Sequence, residues 1–103
     1  GDDWVDATPP DDAVIINTGI MLERLTNGVI PIGWHRVVAA PGYEGERYSV
    51  VQFCHPRPWT ILSPVPSCCT PENPQRFSAI SAEHALDEVL YEINLIEDAR
   101  RVG

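Results

Sequence analysis

His35 lies in the run Trp34-His35-Arg36-Val37-Val38, and twelve positions further on stands Arg47-Tyr48-Ser49. In an extended strand, residues two apart share a face. Arg47 and Ser49 therefore point one way and Tyr48 the other. A guanidinium beside a hydroxyl can grip a carboxylate through charge-assisted, fork-shaped hydrogen bonds. Histidine is the commonest side-chain metal ligand. Together these residues describe a metal site that accepts a keto acid or another small anion, provided all three face one cavity.

Each residue also has a plainer reading. His35 can be a strand histidine whose ring is satisfied by a backbone carbonyl. Arg47 can pair at the surface with Glu44 or Glu46, where ion pairs are common and weak, and Ser49 can be an ordinary strand serine. Cys54, His55, Cys68 and Cys69 are soft donors, but two of the cysteines are adjacent, which is poor geometry for one tetrahedral zinc, and no Cys-x-x-Cys occurs. They read as thiols. Trp34, Tyr48 and Trp59 read as packing residues.

The elements that must hold these groups follow from the local pattern. Residues 4–7 read as the end of a strand and Pro9-Pro10-Asp11-Asp12 as a turn. Residues 13–17 are apolar and rich in β-branched types, which predicts a buried strand. Residues 21–26 predict one short helical turn, stopped by Asn27-Gly28. Residues 34–39 and 47–53 predict two further strands around a loop at 41–45, and residues 60–62 a short one. Residues 64–74 are proline-rich and irregular, and are expected to run over a surface. Ser81 is placed to cap a final helix. In that helix Ala85, Leu86, Val89, Leu90, Ile93, Ile96 and Ala99 form one apolar stripe. Glu83, Asp87, Glu88, Glu92 and Glu97 form a solvated side, and Arg100 and Arg101 suit the negative end of the helix dipole.

Composition narrows the function classes. With 103 residues, the chain holds at most one small domain. The net charge is −8 and all seven basic residues are arginine, so there is no basic stripe of the kind a nucleic acid requires. The same balance disfavours anionic membranes, and no apolar run nears the roughly 20 residues of a membrane span. The acidic opening Gly1-Asp2-Asp3 is unlike a signal peptide. Three cysteines, an odd number, fit a reducing cytoplasm.

The order of the segments carries more than any one of them. Ala13-Val14-Ile15-Ile16-Asn17-Thr18-Gly19 is followed by Met21-Leu22-Glu23-Arg24-Leu25-Thr26-Asn27-Gly28. Then come Trp34-His35-Arg36-Val37-Val38 and Glu46-Arg47-Tyr48-Ser49-Val50. This succession resembles the C-terminal half of the iron(II)/2-oxoglutarate-dependent dioxygenases, nearest to the isopenicillin N synthase-like branch, over residues 4–66 and more loosely into the final helix. The resemblance implies a mainly β fold with a C-terminal α-helix, built on a partial double-stranded β-helix, or jelly-roll, core. It divides the chain into residues 1–66 of that β-helix domain, a proline-rich linker at 67–80 and a C-terminal helix at 81–103.

The resemblance also implies a site. Iron(II) in this family is held by two histidines and a carboxylate on one face. His35 matches the second histidine, and Arg47 and Ser49 match the clamp for the distal carboxylate of 2-oxoglutarate. In isopenicillin N synthase itself the matching Arg-x-Ser holds the substrate's carboxylate and no 2-oxoglutarate is used, so the clamp implies an anion and not which anion. The first histidine and the carboxylate come from a His-x-Asp or His-x-Glu motif. None occurs here: His35 is followed by Arg-Val, His55 by Pro-Arg and His84 by Ala-Leu. Position 20 departs as well, with Ile20 where the family has an aspartate that orders the following turn. Asn17 is expected to hydrogen-bond within the barrel or to end a strand.

The expectation is thus a piece of a longer oxygenase that oxidises a small organic substrate with O2 while 2-oxoglutarate goes to succinate and CO2. The piece alone is expected to be inactive, and its expected partners are the N-terminal half of the enzyme or, through open sheet edges, other copies of itself. The alternative is a noncatalytic β module, a pseudoenzyme remnant acting in assembly through its C-terminal helix.

Overall fold

Asn27 and Gly28 stop the first helix as the sequence suggests, and they do so through backbone geometry. In the computed structural model, which describes residues 3–93, α1 is Ile20–Leu25. Asn27 and Gly28 follow with φ of 51° and 80°, in the left-handed region that asparagine and glycine adopt most readily. The Gly28 N–H donates to the Glu23 carbonyl at 2.8 Å and the Asn27 N–H to the Arg24 carbonyl at 3.2 Å. This pair of bonds is the Schellman arrangement that satisfies the last carbonyls of a helix. The turn is ordered although Ile20 replaces the expected aspartate and Gly19 offers no side-chain cap.

Among the described residues two strands form, β1 (Ile61–Leu62) and β2 (Ile80–Ser81), paired antiparallel with Ile61 opposite Ser81 and Leu62 opposite Ile80. α2, Ala82–Glu92, leaves directly from β2. Its first three N–H groups, which no helix can satisfy internally, all find acceptors. Ala82 donates to the Thr60 carbonyl at 2.8 Å, Glu83 to the Pro58 carbonyl at 3.0 Å, and His84 to Ser81 Oγ at 3.2 Å. Ser81 is therefore the N-cap. The Ile96, Ala99, Arg100 and Arg101 part of the expected helix lies outside the described residues.

The core is small and sits where these elements meet. Leu62, Ile80, Ala82 and Ala85 are buried, and Met21 and Leu25 of α1 pack against them. Full burial of a side chain the size of Leu62 or Ile80 contributes about 1.5–3 kcal/mol. The proline-rich stretch belongs to this unit and does not simply run over its surface. Pro66–Cys68 forms a 3-10 turn, Pro64 is buried, and Thr70 and Asn73 exchange both backbone hydrogen bonds at 3.0 Å.

The segments at residues 4–7, 13–17, 34–39 and 47–53, where strands are expected, are extended or irregular chain in this structure, and the β structure present is the pair β1 and β2 among the described residues. These segments carry no ladder, and Val14, Ile16 and Val50 are almost fully exposed. The physical reason is that strand propensity reflects packing against cross-strand neighbours. Among the described residues no segment pairs with these four. Turns inside the same region do form, because their determinants are local. Ala13 N–H reaches the Pro10 carbonyl at 3.1 Å. Tyr43 N–H reaches the Ala40 carbonyl at 2.9 Å, with Pro41 and Gly42 (φ 75°) in the central positions, as a type II turn requires.

Candidate functional site

His35 is exposed, and its ring is not free to choose a role. Its Nδ1 lies 2.9 Å from the Gly33 carbonyl oxygen. A carbonyl can only accept, so Nδ1 carries the hydrogen and, in the neutral ring, Nε2 carries the open lone pair. Metal-bound histidines use this arrangement, donating their second ring nitrogen to a carbonyl or carboxylate. The Gly33 carbonyl is held in turn. The Gly33 N–H donates to the Thr18 carbonyl at 3.0 Å, and Thr18 Oγ1 donates to the Pro31 carbonyl at 2.8 Å.

Arg47 and Ser49 are exposed as well. Arg47 makes no ion pair among the described residues, so the surface pairing with Glu44 or Glu46 is not what engages it. Glu46 is taken instead by its neighbour: Tyr48 donates its hydroxyl to the Glu46 carboxylate. That hydrogen bond to a carboxylate, with a minor contribution from burial, pushes the Tyr48 hydroxyl above the ordinary tyrosine value. The Glu46 carbonyl accepts from the Tyr43 hydroxyl at 2.7 Å. Residue 46 is thus occupied at both its side chain and its backbone, and the Arg47 fork remains open to an incoming anion.

His35, Arg47 and Ser49 all face solvent and no hydrogen bond joins them among the described residues. Nor do the described residues contain a cluster of three histidine, cysteine or acidic side chains placed to share a metal ion. The open Nε2 of His35 is chemically suited to bind a metal ion, and among the described residues no two further ligands stand around it. Asn17 is exposed and engages no described partner.

A second polar constellation was invisible in the sequence. Asn27 is fully buried. Its Nδ2 donates to the Pro74 carbonyl at 3.0 Å and the Asn73 carbonyl at 3.1 Å, and its Oδ1 accepts from the Arg76 N–H at 2.7 Å. Asn73 reciprocates, with Nδ2 donating to the Asn27 carbonyl at 3.1 Å and the Cys68 carbonyl at 3.0 Å. Only the asparagine types at 27 and 73 hinted at it, and nothing in their local sequence says that they meet. Arg24 adds a tie, donating to the Ser78 carbonyl at 2.6 Å while its guanidinium lies 5.2 Å from the centre of the Phe77 ring. This network anchors the end of α1 and so the start of the segment that leads to His35.

Comparison with known proteins gives the frame for these groups. Residues 1–56 match the model of the 2OG-Fe(II) oxygenase superfamily. The chain is 38% identical over 69 residues to a 1-aminocyclopropane-1-carboxylate oxidase of Musa acuminata, covering 67% of this chain and 22% of that protein. It is 39% identical over 74 residues to azadirone synthase LFS of Melia azedarach, covering 72% of this chain and 21% of that protein. It is 33% identical over 76 residues to thebaine 6-O-demethylase of Papaver somniferum, covering 74% of this chain and 20% of that protein. The chain thus spans about a fifth of the length of the curated relatives it matches. No solved structure matches it. With a family match over more than half of the chain, and with His35, Arg47 and Ser49 inside the matched residues, this chain belongs to the 2OG-Fe(II) oxygenase superfamily.

Proposed function

We propose that this chain supplies the second histidine ligand and the carboxylate clamp of a non-haem iron(II)/2-oxoglutarate-dependent oxygenase acting on a small organic substrate. The observation that carries the reading is the ring of His35. Its Nδ1 is committed to a backbone carbonyl and its Nε2 is open, in a stretch aligned to the family. Iron and 2-oxoglutarate, when bound, supply the oxygen chemistry. The chain's own part is to present Nε2 of His35 as one ligand and to seat a carboxylate on Arg47 and Ser49 through fork-shaped, charge-assisted hydrogen bonds. A His-x-Asp or His-x-Glu pair from elsewhere completes the donor set, and the 103 residues alone are inactive.

In this reading the segments at 13–17, 34–39 and 47–53 become strands of a double-stranded β-helix once their pairing partners are in place. The names of the relatives, a 1-aminocyclopropane-1-carboxylate oxidase and a thebaine 6-O-demethylase among them, favour a small organic molecule as substrate. A reducing, cytoplasmic setting agrees with three free cysteines. The test is succinate release from 2-oxoglutarate by the complete enzyme. His35→Ala is expected to reduce it to the background of free iron, and Arg47→Ala to raise the KM for 2-oxoglutarate by at least an order of magnitude. Turnover unchanged by His35→Ala removes the assignment. The noncatalytic reading is favoured by one feature, the half-exposed Leu86, Val89 and Leu90 stripe on α2. It requires that the complete protein release no succinate at all.

A further inference from the structure

We propose that Thr18 and Gly33 are positioning residues that lock the His35 imidazole with its hydrogen on Nδ1 and so hold Nε2 ready as an electron-pair donor. The consequence for iron rests on the reading of His35 as a ligand; the lock itself does not.

Three observations converge on it. The Gly33 carbonyl that receives the His35 Nδ1 hydrogen, at 2.9 Å, sits on a residue whose N–H is pinned to Thr18 at 3.0 Å. The Thr18 hydroxyl holds the Pro31 carbonyl two residues earlier at 2.8 Å. Residues 31 and 33 are therefore both fastened to a single half-buried threonine. Second, glycine is not needed at position 33 for its backbone: the left-handed glycines are Gly28, Gly42 and Gly45. It leaves room against Thr18. A Cβ there would lie 3.3 Å from Thr18 Oγ1 and 3.5 Å from the Thr18 backbone nitrogen and oxygen. Only the Thr18 hydroxyl is crowded, by a few tenths of an ångström, so a larger side chain at position 33 presses on the group that holds Pro31.

Third, the other histidine ring bonded to a carbonyl has no such support. His55 Nδ1 reaches the carbonyl of Pro56, its immediate neighbour, at 3.2 Å, and no tertiary bond among the described residues holds that carbonyl. His55 is an internal reference within the same chain. The value of the lock is preorganisation. The hydrogen bond made by one ring nitrogen decides which nitrogen can bind a metal. Loss of such outer partners typically costs 10–100-fold in metal affinity.

The tautomer can be read without any metal. Long-range proton–nitrogen correlation spectra of the 103-residue chain, with nitrogen-15 in its histidines and at mildly alkaline pH, separate the two neutral forms. His35 is expected mainly as the Nδ1–H form, the opposite of the preference of free histidine. Gly33→Val, which drives a side chain into Thr18, shifts His35 toward a mixture, and Thr18→Val does so to a smaller degree. Thr18→Ser keeps the hydroxyl and keeps the wild-type pattern. An Nε2–H form predominating at His35 in the wild-type chain overturns the proposal without recourse to any variant, as does an unchanged pattern in Gly33→Val.

A second measurement uses the complete enzyme and iron(II) alone. Gly33→Val and Thr18→Val are expected to weaken iron binding about 10–100-fold, with Thr18→Ser close to wild type. If His35→Ala abolishes binding and these variants leave it intact, the positioning role is wrong. If His35→Ala itself leaves iron affinity unchanged, the ligand reading is wrong, whatever the tautomer.

Discussion

Single residues in this chain are tuned by their immediate neighbours, and the tuning can be measured. Asp6 Oδ1 accepts from the Thr8 hydroxyl at 2.6 Å and from the Thr8 N–H at 3.0 Å. The hydroxyl bond, then the backbone bond, holds the Asp6 carboxyl below the usual carboxylate range against a small opposing effect of burial. A carboxyl lowered on folding stabilises the folded turn above its ordinary value, and that contribution is lost as the pH falls through the lowered value. Thr8→Val is therefore expected to return Asp6 upward to the usual range, as read by carboxyl carbon-13 shifts during an acid titration. At Tyr48 the sign is reversed. Glu46→Ala removes the carboxylate that accepts its hydroxyl, and the Tyr48 phenol should then ionise at a lower pH, visible in an ultraviolet titration against wild type. The same variant frees the backbone beside Arg47 of a neighbouring negative charge. A carboxylate probe should bind Arg47 no more weakly after it.

At the level of elements, the described structure separates what is locally determined from what is not. Ser81 could be read as a helix cap from its position before an apolar stripe, and Asn27-Gly28 as a helix stop, because both signals act within one turn of chain. Ser81→Ala should cost about 1 kcal/mol and Ser81→Asp much less, measured by denaturant titration of the helical circular dichroism. The four strands expected upstream of residue 54 were legible as patterns, yet a pattern of apolar residues names a face and not the neighbour that covers it. The same limit applies to the site. His35, Arg47 and Ser49 could be named from type and spacing, whereas Thr18 and Gly33 could not, since their roles depend on a contact fifteen residues apart in sequence. The clasp of Asn27 was hidden for the same reason. Asn27→Ala leaves buried donors and acceptors unpaired and replaces an asparagine at left-handed φ by a residue that tolerates that region less well. Combining about 1–3 kcal/mol for the lost bonds with about 1 kcal/mol for the backbone, it should destabilise the folded unit by about 2–4 kcal/mol. Asn27→Gly loses the same bonds without alanine's cost at left-handed φ, and should destabilise less than Asn27→Ala.

Taken whole, the chain is more open than its size warrants. Its radius of gyration is 16.8 Å, against about 13 Å for a compact domain of 100 residues. It exposes 9020 Å², where a folded monomer of this mass exposes about 5,800 Å². Trp34, Val37, Val38, Tyr48, Val50 and Phe53 all contribute to that excess. Exposed apolar segments without a ladder are templates for pairing, so the isolated chain should associate as its concentration rises. Sedimentation velocity across a hundredfold dilution series tests this, and a single monomeric species throughout would contradict it. The Asn27 clasp has one more consequence, in time. Its acceptors and donor lie 46, 47 and 49 residues further along the chain. During translation, then, the turn after α1 leaves the ribosome with its carboxamide still hydrated. Its donors gain their acceptors when Asn73 and Pro74 emerge, and its oxygen gains a donor only with Arg76, so the clasp closes last.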